Sequence, residues 1–172
     1  YLQRFWERLP GAGQLAVFDR SWYGRVLIER VENLVEKEVW QRAYNEIIQF
    51  EKLLVDDGII LIKLFLAIDK EEQRARLLAR LESPEKCWKI TRADIRSREY
   101  WDEYQLAYQD MLDKTSAEAS PWHVVPANCK KYARIQSMEI VAGRLGSRID
   151  AEKVKILDPE LREYALRSLK KD

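Results

Sequence analysis

The stretch Gln14–Arg30, QLAVFDRSWYGRVLIER, narrows the fold more than any other part of the chain. Its apolar run Leu15-Ala16-Val17-Phe18 ends in Asp19-Arg20-Ser21, and helical spacing begins at about Val26, so the segment reads as strand, turn and helix. That succession builds open α/β sheets, whose ligands bind beyond the carboxyl ends of the parallel strands. Asp19 stands at this rim, where an aspartate can hold Mg²⁺, directly or through water, beside a chain of phosphates. Arg20 and Arg25 add two planar forks for phosphate oxygens. Taken alone, a strand followed by Asp-Arg equally suits a helix cap and two surface charges.

The rest of the chain continues the α/β pattern. Tyr1 to Leu9 reads as the end of an amphipathic helix stopped by Pro10-Gly11. Trp22 and Tyr23 favour packing over covering a ligand, and Gly24 leaves room for a close approach. Between Lys37 and Leu54, Trp40, Ala43, Tyr44, Ile47, Ile48 and Leu54 recur at helical spacing. Asp56-Asp57-Gly58 then turns into Ile59–Ile68, apolar apart from Lys63, which suits a strand buried on both faces. The paired acids lie at the start of this strand, the opposite end from Asp19, and favour turn chemistry over a metal site. Glu71–Glu82 is helical in pattern, with Arg76 and Arg80 one turn apart, and Pro84 ends it. Thr91 caps a helix expected to run through Tyr100 to Leu112, with Trp101, Tyr104, Tyr108 and Met111 as its inner stripe. Trp122–Pro126 is a third strand, in which His123 is expected as a hydrogen-bonded structural residue. Lys130–Leu145 is a helix for the face of the sheet, and residues 149–172 form an extension with a short helix from about Pro159.

Composition bounds the function. The chain has 172 residues, 47% of them hydrophobic, enough for one domain with a sizeable core. A formal net charge of +1 excludes a general attraction to polyanions, so any basic function rests on clustering. Such a cluster exists: Arg74, Arg76, Arg80, Lys86, Lys89, Arg92, Arg96 and Arg98 face only Glu82, Glu85 and Asp94 in the same stretch. Cys87 and Cys129 fit neither a disulfide framework nor a metal pattern, which points to a reduced, cytoplasmic setting. The apolar runs are too short to span a bilayer, and the aromatic stripe favours core packing over nucleic-acid stacking, so neither membrane nor DNA or RNA is an expected partner.

The string FDRSWYGR resembles the Walker B segment of the polyphosphate kinase 2 family, P-loop kinases that move phosphoryl groups between inorganic polyphosphate and nucleotides. The resemblance continues in LLVDDGIILIKLFLAIDKEEQRARLLARLESPEKCWKI, in WDEYQLAYQDML and in SPWHVV, and covers residues 1 to about 148. It implies an α/β fold of P-loop kinase type, three-layer αβα with a parallel sheet and a helical lid at about residues 82–100. By motif position Asp19 matches the Walker B aspartate that organises Mg²⁺ or the acceptor phosphate, and Arg20 and Arg25 match its adjoining arginines. Arg80 matches the arginine on the helix leading into the lid, and Lys86 and Lys89 match the lid lysines. The lid departs from the family pattern at Cys87, in place of a polar or basic residue, and at Arg92, in place of a proline. Implied substrates are inorganic polyphosphate and a nucleotide, AMP/ADP or GMP/GDP, and Gly24 resembles members that convert AMP to ADP. Homo-oligomers are implied by family analogy.

The phosphate cradle is missing from this pattern. A P-loop requires GxxxxGK or a close variant, and neither GAGQ at Gly11 nor GRLGSR at Gly143 supplies it. In the family this loop precedes the Walker B strand, and its own strand lies between those corresponding to Gln14–Phe18 and Ile59–Ile68. The domain is therefore expected to be incomplete at its N-terminus, where the chain opens on Tyr1. An upstream segment or companion chain should complete it, and residues 1–172 alone should be inactive. Two other readings share parts of the pattern: an ATP-dependent nucleoside monophosphate kinase of thymidylate-kinase type, and a degenerate module that binds nucleotide or mediates assembly.

Overall fold

Regular apolar spacing becomes regular helix in this chain. The computed structural model describes residues 1–147 and 158–169. Its helices are α1 (Gln3–Trp6), α2 (Ile28–Val31), α3 (Lys37–Asp56), α4 (Lys70–Glu82), α5 (Arg92–Glu99), α6 (Trp101–Thr115), α7 (Lys130–Gly146) and α8 (Pro159–Leu169), with 3₁₀ turns at Trp22–Arg25 and Cys87–Lys89. Among the described residues the sheet consists of β1 (Lys63–Ala67) and β2 (Trp122–Pro126), paired in parallel with Lys63 opposite Trp122 and Ala67 opposite Pro126. No helix among the described residues is long and apolar enough to cross a membrane.

Side chains alternate across the two strands and so divide the molecule into layers. Phe65 and Trp122 pack toward α3 and α6, where Ala43, Ile47, Phe50, Leu54 and Met111 form the main core with Trp22, Tyr23 and Val26. Leu64 and Val125 face the other way, against Ala133 and Ile140 of α7. This helix, sheet, helix sandwich is the expected three-layer arrangement. Its boundaries are set locally. Gly58, at φ 90°, ends α3 with hydrogen bonds from Gly58 to Val55 and from Ile59 to Leu54, a Schellman motif that confirms Asp56-Asp57-Gly58 as a turn. Asp69 caps α4 by accepting from the Glu72 amide, and Ser83, extended before Pro84, stops it.

One buried polar cluster ties these layers together. Glu51 of α3 and Lys63 of β1 are 3% and 4% exposed and form an ion pair at 2.7 Å. Glu51 also accepts from the Trp22 indole at 3.0 Å and the Tyr23 hydroxyl at 2.7 Å. Lys63 donates to the Thr115 carbonyl at the end of α6, and the Thr115 hydroxyl accepts from Trp122 of β2. Burial draws the Lys63 pKa down, opposed by Glu51. Burial, with the Glu51 carboxylate beside it, raises the Tyr23 phenol well above its ordinary range, so it stays a donor.

Four expectations are corrected. Gln14–Phe18 forms no strand: no described neighbour supplies a ladder, and Leu15 and Val17 are 67% and 84% exposed. The strand expected over Ile59–Ile68 is confined to Lys63–Ala67, the residues that β2 can reach. The helix from Thr91 breaks at Tyr100, whose ψ of 29° departs from the helical region, because Arg96 binds Glu32 and Arg98 binds the Lys70 carbonyl, holding α5 against α2 and α4 instead of in line with α6. His123 is not hydrogen-bonded through Nε2, which is buried without a partner. Trp22 and Tyr23, by contrast, are buried core residues as expected.

Because the Glu51–Lys63 pair is fully enclosed, removing one member strands the other. Lys63→Met should lower unfolding stability in urea by about 3 to 5 kcal/mol, and adding Glu51→Gln should recover part of that loss.

Candidate functional site

Asp19 and Arg20 form a turn pinned on both sides. On one side the Phe18 ring packs edge-on against Phe5 and Trp22, with centroids 5.9 and 5.8 Å away. On the other, Trp22 and Tyr23 are locked to Glu51. Between them Asp19 and Arg20 are exposed, and neither side chain has a hydrogen-bond or ion-pair partner among the described residues. Arg20 has φ 65°, in the left-handed region, which costs a residue with a Cβ about 1 to 2 kcal/mol. Such a conformation persists only where its surroundings enforce it, and here it holds a free guanidinium beside a free carboxylate.

Arg80 lies in the last turn of α4 and faces Asp94 of α5, 3.7 Å from Nη1 to Oδ1. Asp94 belongs to a capping box: its Oδ2 accepts from both the Thr91 amide and the Thr91 hydroxyl at 2.8 Å, and the Asp94 amide donates back to that hydroxyl. Partial burial works against its ionisation, but the two Thr91 bonds and the charges of Arg80 and Arg20 outweigh it and hold the carboxyl below the usual carboxylate range. Of the two arginines, Arg80 is the one within ion-pair distance of this carboxylate.

The remaining expected residues are placed differently. Arg25 pairs with Glu29 at 3.0 Å and lies over the Tyr1 ring at 4.5 Å, with its Nε buried and unpartnered, so its guanidinium is part of the wall behind the turn. Lys86 and Lys89 sit on the exposed turn after α4, which is closed by Lys86 and Cys87 amides donating to the Ser83 carbonyl. The Lys89 ammonium is 5.2 Å from the ring of Trp88, itself 74% exposed, and Lys86 has no side-chain partner among the described residues. Of the other cations in the cluster, Arg76 is committed to Glu72 and to the Ala127 and Asn128 carbonyls, Arg96 to Glu32 and Arg98 to the Lys70 carbonyl. Asp94 and Glu32 were invisible as site residues in the sequence, although the spacing Thr91-x-x-Asp94 announced the cap.

A separate groove of about 610 Å³ runs from Arg30 and Asn33 past Trp40 to Tyr100 and Glu103, bringing aromatic faces and amide and carboxylate groups together. No group of three or more His, Cys, Asp or Glu among the described residues is placed to hold a metal ion. Asp19 nonetheless fits Mg²⁺ in its usual mode, one or two carboxylates with the other positions taken by water and phosphate oxygens. The exposed Asp19 and Arg20 side chains of the turn offer a hard oxygen donor and a positive charge, which suits binding and neutralising phosphates more than moving protons.

The family model described as polyphosphate kinase 2 matches residues 1–153. The chain is 48% identical over 141 residues to the polyphosphate:AMP phosphotransferase of Pseudomonas aeruginosa, covering 82% of this chain and 28% of that protein. It is 47% identical over 132 residues to the AMP/ADP-polyphosphate phosphotransferase of Meiothermus ruber, covering 77% of this chain and 49% of that protein. The chain thus spans less than half the length of these two curated relatives. The crystal structure of polyphosphate kinase 2 from Arthrobacter aurescens TC1 matches with a TM-score of 0.86 and 41% identity, over 96% of this chain and 59% of that one.

If the left-handed turn at Arg20 is enforced from both sides, Arg20→Gly should be more stable to urea than Arg20→Ala by about 1 kcal/mol, although both lose the charge. Equal stabilities would mean that the turn relaxes.

Proposed function

The chain belongs to the polyphosphate kinase 2 family, and from that premise we propose that it is part of a catalytic domain transferring a phosphoryl group between inorganic polyphosphate and a nucleotide, with AMP to ADP favoured and NDP to NTP as the related reaction. The observation that supports this reading is the Asp19-Arg20 turn, whose two exposed side chains have no hydrogen-bond or ion-pair partner among the described residues, together with an Arg80 held only loosely, 3.7 Å from Asp94. Two relatives named for activity on AMP share 48 and 47% of their aligned residues with this chain, which supports AMP as acceptor.

In the forward direction an oxygen of the AMP phosphate attacks the terminal phosphorus of polyphosphate. The bridging P–O bond breaks, its electrons stay on the shortened chain, and ADP forms with no net oxidation. Such a transfer asks mainly for positioning and charge neutralisation. Arg20 and Arg80 hold and neutralise the phosphate chain at the rim. Lys86 and Lys89 lie on the arm at residues 82–100, which closes over the chain and excludes water. Arg25 supports the turn from behind and adds positive potential. Bound at Asp19, Mg²⁺ would neutralise further phosphate charge. The groove past Trp40 and Tyr100 suits the acceptor base.

The exposed Leu15 and Val17, together with Leu66 at 56% exposure on β1, support a further strand lying between Gln14–Phe18 and β1. Unpaired edges of this kind are costly when left open. That strand would bring the glycine-rich loop and lysine that cradle the transferred phosphate, and without it residues 1–172 turn nothing over. The exposed free thiols of Cys87 and Cys129 suit a reducing, cytoplasmic setting.

Donor competition tests the reading. The intact protein, given AMP with either polyphosphate or ATP, should make ADP from polyphosphate; ADP from ATP alone would replace this reading with a nucleoside monophosphate kinase. Chelation by EDTA should stop turnover and added Mg²⁺ restore it. Asp19→Asn should lower kcat by on the order of 10²-fold or more while leaving the melting temperature unchanged.

A further inference from the structure

We propose that Asp94 is an internal counter-ion for Arg80, holding its guanidinium until the phosphate chain displaces it, and thereby sets how tightly the polyanion is bound. The inference rests on the reading of Arg80 as a phosphate contact given above.

Four arginines of α4 and α5 illustrate the difference between a fixed and a releasable cation. Arg76, Arg96 and Arg98 each make at least one contact of 2.7 Å or less, to Glu72 and the Ala127 carbonyl, to Glu32, and to the Lys70 carbonyl. Arg80 alone of the four stands 3.7 Å from its carboxylate, beyond hydrogen-bond length. Its side chain and that of Asp94 are 37% and 28% exposed, so water screens the pair and another anion can compete for it.

Asp94 cannot follow Arg80 if it moves. One carboxylate oxygen, Oδ2, is held by the Thr91 amide and hydroxyl at 2.8 Å, which fixes the side chain to the first turn of α5. The other oxygen, Oδ1, is the one that faces Arg80. The carboxylate thus stays fixed beside Arg80, and a phosphate that draws the guanidinium away leaves it behind. A phosphate offers Arg80 two parallel hydrogen bonds, which the distant Asp94 oxygen does not. The exchange lets the polyanion bind while part of its binding free energy goes into releasing the pair. Affinity stays moderate, and the shortened chain can leave.

The test uses the full-length protein, with inorganic tripolyphosphate as probe in calorimetric titration and polyphosphate in steady-state assays. Asp94→Asn keeps an oxygen acceptor for Thr91 and removes the charge. It should lower the tripolyphosphate Kd and the KM for polyphosphate by about two- to five-fold without raising kcat. Thr91→Ala, which breaks the cap and leaves the charge, should not tighten binding. In an Arg80→Ala background the gain from Asp94→Asn should fall to less than half. Unchanged or weaker binding by Asp94→Asn, equal tightening by Thr91→Ala, or an undiminished gain without Arg80 would each overturn the proposal. If Asp94→Asn does not fold, Asp94→Ser, which retains a capping oxygen, is read by the same criteria. Arg80→Ala that binds tripolyphosphate as well as the parent would overturn the phosphate-site reading itself, whereas weakened binding by Arg80→Ala without tightening by Asp94→Asn would overturn only the counter-ion.

Discussion

The enclosed ion pair between Glu51 and Lys63 is the constraint on which the other elements depend. Glu51 reaches from the longest helix to the two aromatic residues that follow the Asp19-Arg20 turn, and Lys63 reaches from the first strand to the end of α6. A pair of this kind contributes little net stability by itself, because desolvating both charges costs about as much as their attraction returns. Its role is geometric. Every polar atom in it has a fixed partner, so the turn after Phe18 has few ways to move relative to the sheet. The rim residues are exposed and unsupported by contacts of their own, yet they inherit a defined position from the buried groups behind them.

That division between a rigid interior and a charged rim also explains how the cations are used. The stretch from Arg74 to Arg98 is dense in positive charge, but the structure commits Arg76, Arg96 and Arg98 to carbonyls of α4 and of the loop after β2 and to carboxylates, contacts that hold α4, α5 and α2 in place. What remains for a ligand is a smaller set: Arg80, loosely paired, and Arg74, Lys86, Lys89 and Arg92, without a hydrogen-bond or ion-pair partner among the described residues. A count of charges overstates the electrostatic pull of this arm, and the geometry corrects it.

The helices were legible in the sequence because apolar spacing, Gly58, Pro84 and the Thr91 cap all point to the same boundaries, whereas the layer order came with the family resemblance. The strand pairing was less so. Ladders are made with partners distant in sequence, and the apolar run 15–18 looks like a strand whether or not a neighbour is at hand. The break at Tyr100 was illegible for a related reason: nothing local forbids a continuous helix there, and the decision lies in where Arg96 and Arg98 find their carboxylate and carbonyl. Lys63 carries a signal of its own, a lone charge inside a run apolar on both faces, which demands a buried counter-charge. At the site, the motif marked Asp19, Arg20 and Arg80, but the pairing of Arg80 with Asp94 is a tertiary contact that no local pattern announces.

The parallel pairing of β1 with β2 has a consequence for how the chain reaches this state. Lys63 and Trp122 are partners across about 60 intervening residues, and closing so long a loop of unstructured chain carries an entropic penalty that no single ladder repays. More than half of the intervening residues, however, lie in α4, α5 and α6, held by caps and by contacts between near neighbours. Assembly of those helices shortens the effective distance between the strands and so lowers the entropic penalty of pairing them.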